Sequence, residues 1–351
     1  MAWTCSSWAT ASSGSPASAR RPSWRRRGST RRGPGALSPA ARAALRCPRC
    51  GGALDDTETE LRCGAPSCQT GYARIEGVPV LLDDEHSIFD ETTIKTYLSN
   101  FSAPPSARWR ERTGRFLPSI SRNIASERNL RRLADLLRLR TEPLVLVLGG
   151  RAPSLGMDTI LGHPDFDCIQ SDVIPGPEVN LICDAHSLPF GDASVDCVVA
   201  QAVLEHVLDP ALCAAQIARV LKPGGLLYAE TPFMQQVHAG ALDFTRFTHL
   251  GHRRLFRAID EIDSGIVCGP GMSLAWAWAY FLTSFARTGA SRRALLTAAR
   301  LTAFWWPWFD SYLADKPGAF DAASAFYFLG EKRGPTVPDR EIPPLYRGAQ
   351  Q

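Results

Sequence analysis

The segment spanning residues 181–233 constrains the fold more than any other part of the chain. An apolar run, "LIC", precedes an acid and "LPF", and a second run, "CVVA", follows Asp196. The motif "LEHV" then predicts the opening of a helix, and "LKPGG" precedes a third apolar run, "LLYAE". Short apolar runs separated by a helical segment and a glycine turn predict parallel strands joined by a crossover helix. We therefore expect an α/β sheet with helices on both faces.

Residues 143–156, "PLVLVLGGRAPSLG", predict an earlier strand of this sheet and a glycine turn after it. The uninterrupted run "LVLVL" is typical of a parallel strand that is buried on both faces. The two glycines after it permit a positive φ and let a ligand approach the backbone. A further strand over residues 166–173 ends near Asp172. Open α/β sheets bind ligands at the carboxyl ends of their strands, so these positions are candidates for a binding site.

With these motifs, residues 140–260 resemble the class I methyltransferases, which have a Rossmann-like sheet and use S-adenosylmethionine. The resemblance predicts the fold and the cofactor. It also implies a set of cofactor-binding residues at the glycine turn and the strand ends: Gly149, Gly150, Asp172, Asp184, Ala185, His186 and Gln201.

In this family the glycine turn wraps the amino-acid part of the cofactor. The acid at the position of Asp172 accepts hydrogen bonds from both ribose hydroxyls, which suits the two oxygens of a carboxylate. The acid at the position of Asp184 lies beside the adenine amino group, and the next two residues contact the ring. The chain departs from the family pattern at Val147 and Arg151, where an acid and a glycine are usual.

Residues 234–256 are dense in polar and aromatic side chains, and the resemblance implies that they cap the pocket and hold the methyl acceptor. Methyl transfer is an in-line displacement that depends on alignment, and an oxygen acceptor also needs a base. The catalytic candidates are His238, Asp243 and His249. A metal site with the spacings H-x4-D and H-x2-H and purely structural hydrogen bonding are alternatives. His206 has either a direct or a structural role.

Four of the ten cysteines form the pattern C-x2-C-x12-C-x4-C: Cys47, Cys50, Cys63 and Cys68. Two closely spaced pairs can place four thiolates around Zn(II), and four protein ligands predict a structural site. Disulfides are the alternative, and they require an oxidising compartment. The segment resembles the small zinc-ribbon proteins that activate tRNA and release-factor methyltransferases. A hairpin ending in a buried strand is expected over residues 72–82.

The net charge of +4 conceals an uneven distribution. The first 46 residues contain nine arginines and no acid, so the remainder carries a net charge of −5. A mildly acidic body argues against a large nucleic-acid footprint. The basic start has no apolar run, which predicts disorder and excludes a signal-peptide core. A transit peptide and a basic arm that contacts RNA or a membrane are alternatives for it, and we expect a cytoplasmic protein.

Two further segments predict helices. Residues 126–140 place four leucines at helical spacing, with Ser126 as the expected N-cap. Residues 264–286 carry no charge, but the glycines and proline in their first third disfavour a membrane span. The rest predicts an amphipathic helix that buries Leu274, Trp278, Phe281, Leu282 and Phe285. An apolar acceptor pocket and docking on a membrane surface are the alternatives for this aromatic region.

The expected organisation is a disordered tail (1–43), a zinc ribbon (44–84), a helical connector (85–140), a methyltransferase core (141–260), a helical and aromatic cap with the last strand (261–333), and a second tail (334–351). The expected function is methyl transfer to an oxygen, or a nitrogen, of a small-molecule or glycan-like acceptor. The alternatives are an RNA or protein methyltransferase that uses the ribbon for recognition, and a non-catalytic scaffold.

Overall fold

The computed structural model of the protein describes residues 36–57, 60–85, 87–90, 92–94, 117–151 and 154–350. The basic stretch 1–35 and connector residues 95–116 therefore lie outside the described residues. The predicted tail boundary at residue 43 is wrong. A short helix, α1 (Pro39–Ala44), begins after Ser38, whose hydroxyl accepts a hydrogen bond from the Ala41 amide. Leu37, Ala41 and Ala44 are buried, because this helix packs on the main core.

Eleven strands of the described residues form one continuous sheet in the order β1-β2-β3-β4-β7-β6-β5-β8-β9-β11-β10. Their bounds are β1 (Leu54–Asp56), β2 (Glu60–Cys63), β3 (Gly71–Ile75), β4 (Val78–Leu81), β5 (Leu144–Leu148), β6 (Asp167–Asp172), β7 (Leu181–Cys183), β8 (Val195–Gln201), β9 (Leu221–Pro232), β10 (Asp260–Cys268) and β11 (Ala325–Glu331). The pairs among β7, β6, β5, β8 and β9 are parallel, whereas β11 is antiparallel to both of its neighbours. This is the expected α/β arrangement.

The longer helices are α2 (Ser126–Leu137), α4 (Pro210–Val220), α6 (Pro270–Thr283) and α7 (Gly289–Ala303); the shorter ones are α3 (Asp158–Leu161), α5 (His249–Leu255), α8 (Asp310–Leu313) and α9 (Pro317–Phe320). Two core clusters pack on the main sheet, one of them containing α4 and the other containing α2 and α6. The expected helices on both faces are therefore present. Within the described residues, no helix combines the length and the apolar character needed to cross a membrane.

The position of the α4 start corrects one prediction. The motif "LEHV" does not open the helix, because residues 202–208 form turns and bends. The helix begins at Pro210, and the side chain of Asp209 accepts a hydrogen bond from the Leu212 amide. Proline at the first helical position and an aspartate N-cap together favour this start. Glu205 and His206 consequently lie in the loop at the carboxyl end of β8.

The start of α2 also differs in detail from the prediction. Ser126 is not the N-cap, since its hydroxyl donates to Glu230 of β9. The Asn123 side chain instead accepts hydrogen bonds from the Ala125 and Ser126 amides, at 3.1 and 2.9 Å. The predicted leucine face of α2 is buried, and its arginine face is exposed.

The ribbon strands extend the main sheet. The turn Glu76–Gly77 has a positive φ at both residues, as a tight hairpin between β3 and β4 requires. β4 then pairs in parallel with β7, with Val80 opposite Ile182. The hydrophobic core of the ribbon is continuous with that of the α/β part. The ribbon is therefore built into the domain edge.

Two predictions for the C-terminal part are wrong. Residues 260–268, assigned mostly to a helical cap, form strand β10, in which Gly265 lies opposite Tyr327 and leaves room for its ring. Helix α6 buries Gly271, Met272, Ala275, Trp276 and Ala279. On the side predicted to be buried, Leu274, Phe281 and Phe285 are 54–67% exposed. Trp278 and Leu282 of the predicted face are partly buried against the core. Gly271 lets the start of α6 pack closely on the segment Trp306–Phe309. The final strand was predicted correctly.

Candidate functional site

The glycine turn after β5 lies at the carboxyl edge of the parallel strands. Gly149 has a φ of +70°, and a Cβ there would approach Val203 Cγ2 to 2.7 Å. Gly150 donates a hydrogen bond from its amide to the Ser171 carbonyl at 2.8 Å. A Cβ on Gly150 would meet the Cβ of Gln170 at 2.9 Å. Glycine is therefore required at both positions by the closeness of the flanking segments.

A small cleft opens at this turn. Its lining residues come from the turn and from the ends of the neighbouring strands, and include Gly149, Gly150, Gln170 and Gln201. The side-chain oxygens of Gln170 and Gln201 are buried and have no hydrogen-bond partner among the described residues. Gln201 donates from Nε2 to Glu230 at 3.0 Å, which leaves Oε1 as its free acceptor. The cleft therefore offers two unpaired acceptors to a ligand with donor groups.

Asp172 lies at the end of β6, as predicted. Its carboxylate accepts hydrogen bonds from the amides of Arg151 and Ile174, at 3.3 and 3.1 Å. Burial raises the pKa of Asp172, against the effect of these bonds and of the Arg151 charge. The carboxylate joins the glycine turn to the β6 loop and has remaining acceptor capacity.

Asp184 follows β7 and is buried. It accepts hydrogen bonds from the His186 amide at 3.0 Å and from the Ser87 hydroxyl at 2.6 Å, and it lies 2.6 Å from His186 Nδ1. Burial opposes ionisation, but the bonds from His186 and Ser87 outweigh it and lower the pKa of Asp184. His186 Nε2 accepts the Asp209 amide, and Ala185 between them is buried. These hydrogen bonds connect the loop after β7 to Asp209 at the start of α4 and to Ser87, which follows the ribbon.

The predicted acceptor segment contains a compact charged group. Asp243 accepts hydrogen bonds from the His238 amide at 2.7 Å and from both terminal nitrogens of Arg246. Burial raises the pKa of Asp243, but the hydrogen bonds and charges of Arg246 and His238 outweigh burial and lower this pKa to about 2. Asp243 is thus ionised at neutral pH, and it is a weak base. Arg246 also donates to the carbonyls of Gln235 and Gln236, which holds the segment against Asp243.

His238 lies beside Glu205, which was not among the predicted site residues, and beside His206, for which a direct and a structural role were both left open. Glu205 Oε1 is 3.7 Å from His206 Nε2 and 3.7 Å from His238 Nε2. The side chains of Glu205 and His206 reach this point from the loop after β8, and His238 reaches it from the loop after β9. The isolated acid in the apolar run "AVLEHV" was the available sequence signal for Glu205, but the motif was interpreted as a helix start.

His249 is in different surroundings. Its ring packs edge-on against Phe320 and Phe326, and Nε2 lies 3.2 Å from the Ser264 hydroxyl. Burial lowers the pKa of His249 to about 4. The structure therefore brings His238 and Asp243 together and places His249 in an aromatic cluster, where its contacts favour packing.

The four ribbon cysteines converge. Their sulfur atoms lie within 4.8 Å of one another; Cys47 and Cys68 are 3.8 Å apart, and Cys50 and Cys63 are 3.4 Å apart. Four sulfurs at tetrahedral Zn(II) would be about 3.8 Å apart. The Tyr72 hydroxyl lies 3.0 Å from the Cys47 sulfur. Such a contact from outside the cluster would orient Cys47 if the four sulfurs bound a metal. The cysteines of the described residues are free, so the disulfide alternative finds no support.

Comparison with known proteins gives short sequence matches. A protein of 37.1 kDa in transposon TN4556 of Streptomyces fradiae, uncharacterized, is 44% identical over 63 residues, which are 18% of each chain. The O-methyltransferase cnsE of Penicillium expansum is 47% identical over 55 residues, 15% of this chain and 20% of its own. The chain thus matches about a fifth of the length of these curated relatives.

Solved structures of methyltransferases also align with the chain. Phosphoethanolamine N-methyltransferase 2 of Haemonchus contortus, solved with S-adenosyl-L-methionine, is 14% identical and has a TM-score of 0.40; the alignment covers 69% of this chain and 60% of that one. Geranyl diphosphate C-methyltransferase of Streptomyces coelicolor A3(2) is 11% identical with a TM-score of 0.39, and the alignment covers 70% and 99%. At TM-scores below 0.5, neither bears on the acceptor.

The family model described as a methyltransferase domain matches residues 169–229. This range runs from within β6 to within β9, and it includes Asp172, Asp184 and Gln201. It therefore covers most of the strand ends that form the candidate site. Within residues 169–229 the chain is therefore similar to a methyltransferase domain.

Proposed function

We propose that the protein transfers the methyl group of S-adenosylmethionine to an oxygen, or a nitrogen, of a small-molecule or glycan-like acceptor. The observation that carries this proposal is the convergence of the glycine turn, Asp172, Asp184 and Gln201 at one edge of the sheet. They come from the ends of four neighbouring parallel strands, where open α/β sheets bind ligands. The family match covers three of these four features.

The residues present fit this cofactor. The unpaired oxygens of Gln170 and Gln201 can accept hydrogen bonds from the ammonium group of its amino-acid part. This matters because the acid usual before the turn is replaced by Val147. Asp172 retains acceptor capacity for the ribose hydroxyls, and Asp184, Ala185 and His186 form the loop proposed for the adenine. The bound cofactor supplies an electrophilic methyl group on a sulfonium, and the protein aligns the acceptor with it.

The acceptor side of the proposal is centred on His238. Asp243 is bound by Arg246 and has a pKa of about 2, so we propose that its role is to orient His238. The surroundings of His249 favour packing. An oxygen acceptor is supported by the short match to an O-methyltransferase. The net negative charge of the chain outside its first 46 residues disfavours nucleic acid as the acceptor.

We further propose that Cys47, Cys50, Cys63 and Cys68 hold a structural Zn(II). The sulfur separations support tetrahedral coordination, and all four positions would be filled by protein ligands. The continuity of the ribbon with the sheet favours a role in stabilising the domain edge.

Calorimetric titration of the full-length, zinc-loaded protein with S-adenosylmethionine and S-adenosylhomocysteine tests the cofactor assignment. We expect micromolar binding of both. Asp172→Ala should weaken the affinity more than tenfold, and Asp172→Asn should weaken it less because one acceptor oxygen is kept. Asp165→Ala, an exposed position just before the same strand, is the matched control and should bind normally. Unchanged affinity in a folded Asp172→Ala protein would contradict the ribose assignment, and absence of binding by the wild type would favour the scaffold alternative.

A further inference from the structure

Three side chains at the acceptor end of the sheet have the geometry of metal ligands. Glu205, His206 and His238 each direct one ligand atom toward a common point, and these atoms lie within 4.8 Å of one another. The two distances from Glu205 Oε1 to the imidazole Nε2 atoms are 3.7 Å. Three ligands bound at about 2.1 Å to one tetrahedral ion would be about 3.4 Å apart, and the two separations from Glu205 are close to this value.

The Glu205 carboxylate provides an independent observation. Its residue is 0% exposed, and neither carboxylate oxygen has a hydrogen-bond partner among the described residues. The separation of 3.7 Å from each imidazole is too long for a hydrogen bond. A buried carboxylate without partners is strongly unfavourable unless a positive charge compensates it. His238 Nε2 is likewise buried and unpartnered in the described part of the chain.

The other nitrogens of both histidines are already oriented. His206 Nδ1 lies 2.6 Å from the Leu242 carbonyl, which can only accept, so Nδ1 carries the hydrogen. His238 Nδ1 lies 3.4 Å from Asp243 Oδ2, and Arg246 holds that carboxylate in place. Metal-bound histidines regularly donate their second N–H to a carbonyl or a carboxylate in this way. Both Nε2 lone pairs are therefore left facing Glu205.

We propose that Glu205 Oε1, His206 Nε2 and His238 Nε2 bind a divalent transition-metal ion, distinct from the ribbon zinc. Two imidazoles and one carboxylate favour Zn(II), Fe(II), Co(II) or Mn(II) over Mg(II) or Ca(II), which prefer oxygen ligands. Three protein ligands leave coordination positions open, as in catalytic metal sites. In this arrangement His238 acts as a ligand and Asp243 as its positioning residue.

A role for the ion in catalysis rests on the proposed function. The site lies beyond the ends of β8 and β9, beside the strand end that carries Gln201. An acceptor hydroxyl at an open position would lose its proton to solvent more readily. The acceptor oxygen then bonds to the methyl carbon as the carbon–sulfur bond breaks, and the electron pair of that bond leaves with the sulfur of S-adenosylhomocysteine.

Metal stoichiometry of the full-length protein tests the site without any need for methyl transfer. After loading with Co(II), the wild type should bind two equivalents. One should show the strong sulfur-to-cobalt charge-transfer absorption of the cysteine site, and the other should not. Glu205→Gln and His238→Asn should each retain only the thiolate-bound equivalent. His163→Asn, in the loop after α3, is the matched control and should bind two.

The orienting residue and thermal stability provide further readouts. Asp243→Asn should weaken binding of the second ion about 10- to 100-fold and leave the thiolate site unchanged. Glu205→Gln should lose the rise in Tm that the second ion gives the wild type.

The outcomes separate this proposal from the proposed function. One thiolate-bound equivalent in the folded wild type, with S-adenosylmethionine binding intact, would overturn the second metal site and leave the methyltransferase assignment standing. Two equivalents, with the second lost in Glu205→Gln, would support the site even if the cofactor failed to bind. Two equivalents that both persist in Glu205→Gln and His238→Asn would refute the ligand assignment.

Discussion

Single buried side chains in this protein are distinguished by how their polar atoms are satisfied. Asp184 and Asp243 each accept several hydrogen bonds from neighbouring residues, which lower the pKa of both, whereas Gln201 and Glu205 retain buried acceptors that have no partner among the described residues. The unsatisfied residues mark ligand positions because an unpaired buried polar group is costly. His252 differs from both groups, because it is buried and its ring packs edge-on against Phe256 and Phe328.

The burial of His252 predicts a dependence of stability on pH. Burial lowers the pKa of His252 to about 3, whereas in the unfolded chain it is near 6.5. The unfolded state therefore binds more protons between these values, and the unfolding free energy falls as the pH falls through this window. Between pH 7 and pH 4, we expect His252→Phe to lose about 1–3 kcal/mol less unfolding free energy than the wild type loses. Denaturant unfolding at a series of pH values measures this difference.

Phe328→Leu, a cavity variant of the same cluster, serves as the control. It should lower the unfolding free energy by a similar amount at every pH, because it removes no titrating group. A His252→Phe protein whose pH profile runs parallel to that of the wild type would show that His252 does not titrate on unfolding.

At the scale of the element, helix α6 depends on a residue remote in sequence. It has no capping side chain of its own, and Asp310 accepts hydrogen bonds from the amides of Gly271 and Met272, at 2.7 and 3.1 Å. A carboxylate at a helix start satisfies the first N–H groups and interacts favourably with the helix dipole. Gly271 permits this contact, since a Cβ there would lie 2.2 Å from the Trp306 carbonyl oxygen.

A pair of glycine substitutions tests this packing. Gly271→Ala should destabilise the protein by about 1–3 kcal/mol, because the added methyl group meets backbone atoms that cannot move independently. Gly289→Ala, at the start of α7, has no atom within 4 Å of the added Cβ and should leave stability unchanged or slightly increased. Equal effects in thermal unfolding would show that close packing of α6 is not the cause.

At the scale of the whole molecule, the ribbon and the α/β domain share one sheet and one core. β4 pairs with β7, and Cys47, Cys63 and Tyr72 belong to the same cluster as residues of β5 and β8. Loss of the ribbon would therefore expose the edge of the main sheet and part of its core. The aromatic side of the cap is different: Trp308 and Tyr312 are 64% and 71% exposed, so this side is not covered by the described residues.

The shared core predicts that ribbon and domain unfold together. Cys63→Ser should remove the ribbon metal and lower the Tm of the entire protein by roughly 5 °C or more in a single transition. Cys168→Ser, a cysteine outside the cluster, should keep the full metal content. Two separate calorimetric transitions, with the upper one unaffected by Cys63→Ser, would contradict a common core.

The sequence by itself determined the features that depend on local pattern. The run "LVLVL" before Gly149 and the apolar runs ending near Asp172 and Gln201 defined the parallel strands, because burial on both faces requires such composition. The cysteine spacing predicted the cluster, since ligand geometry is set within short loops. The hairpin at Glu76–Gly77 and the last strand followed from the same local rules.

Only the tertiary structure decided which residues meet across long sequence separations. It placed His238 beside Glu205 and His206, where sequence spacing had suggested metal partners within residues 238–252. It also determined which face of α6 is buried: Gly271 and Ala275 are buried together with Met272 and Trp276, whereas Leu274 and Phe281 are exposed. Strand β10 was not predicted because Gly265 in the sequence indicates an interruption of regular structure. In the fold, the ring of Tyr327 on the neighbouring strand packs against Gly265.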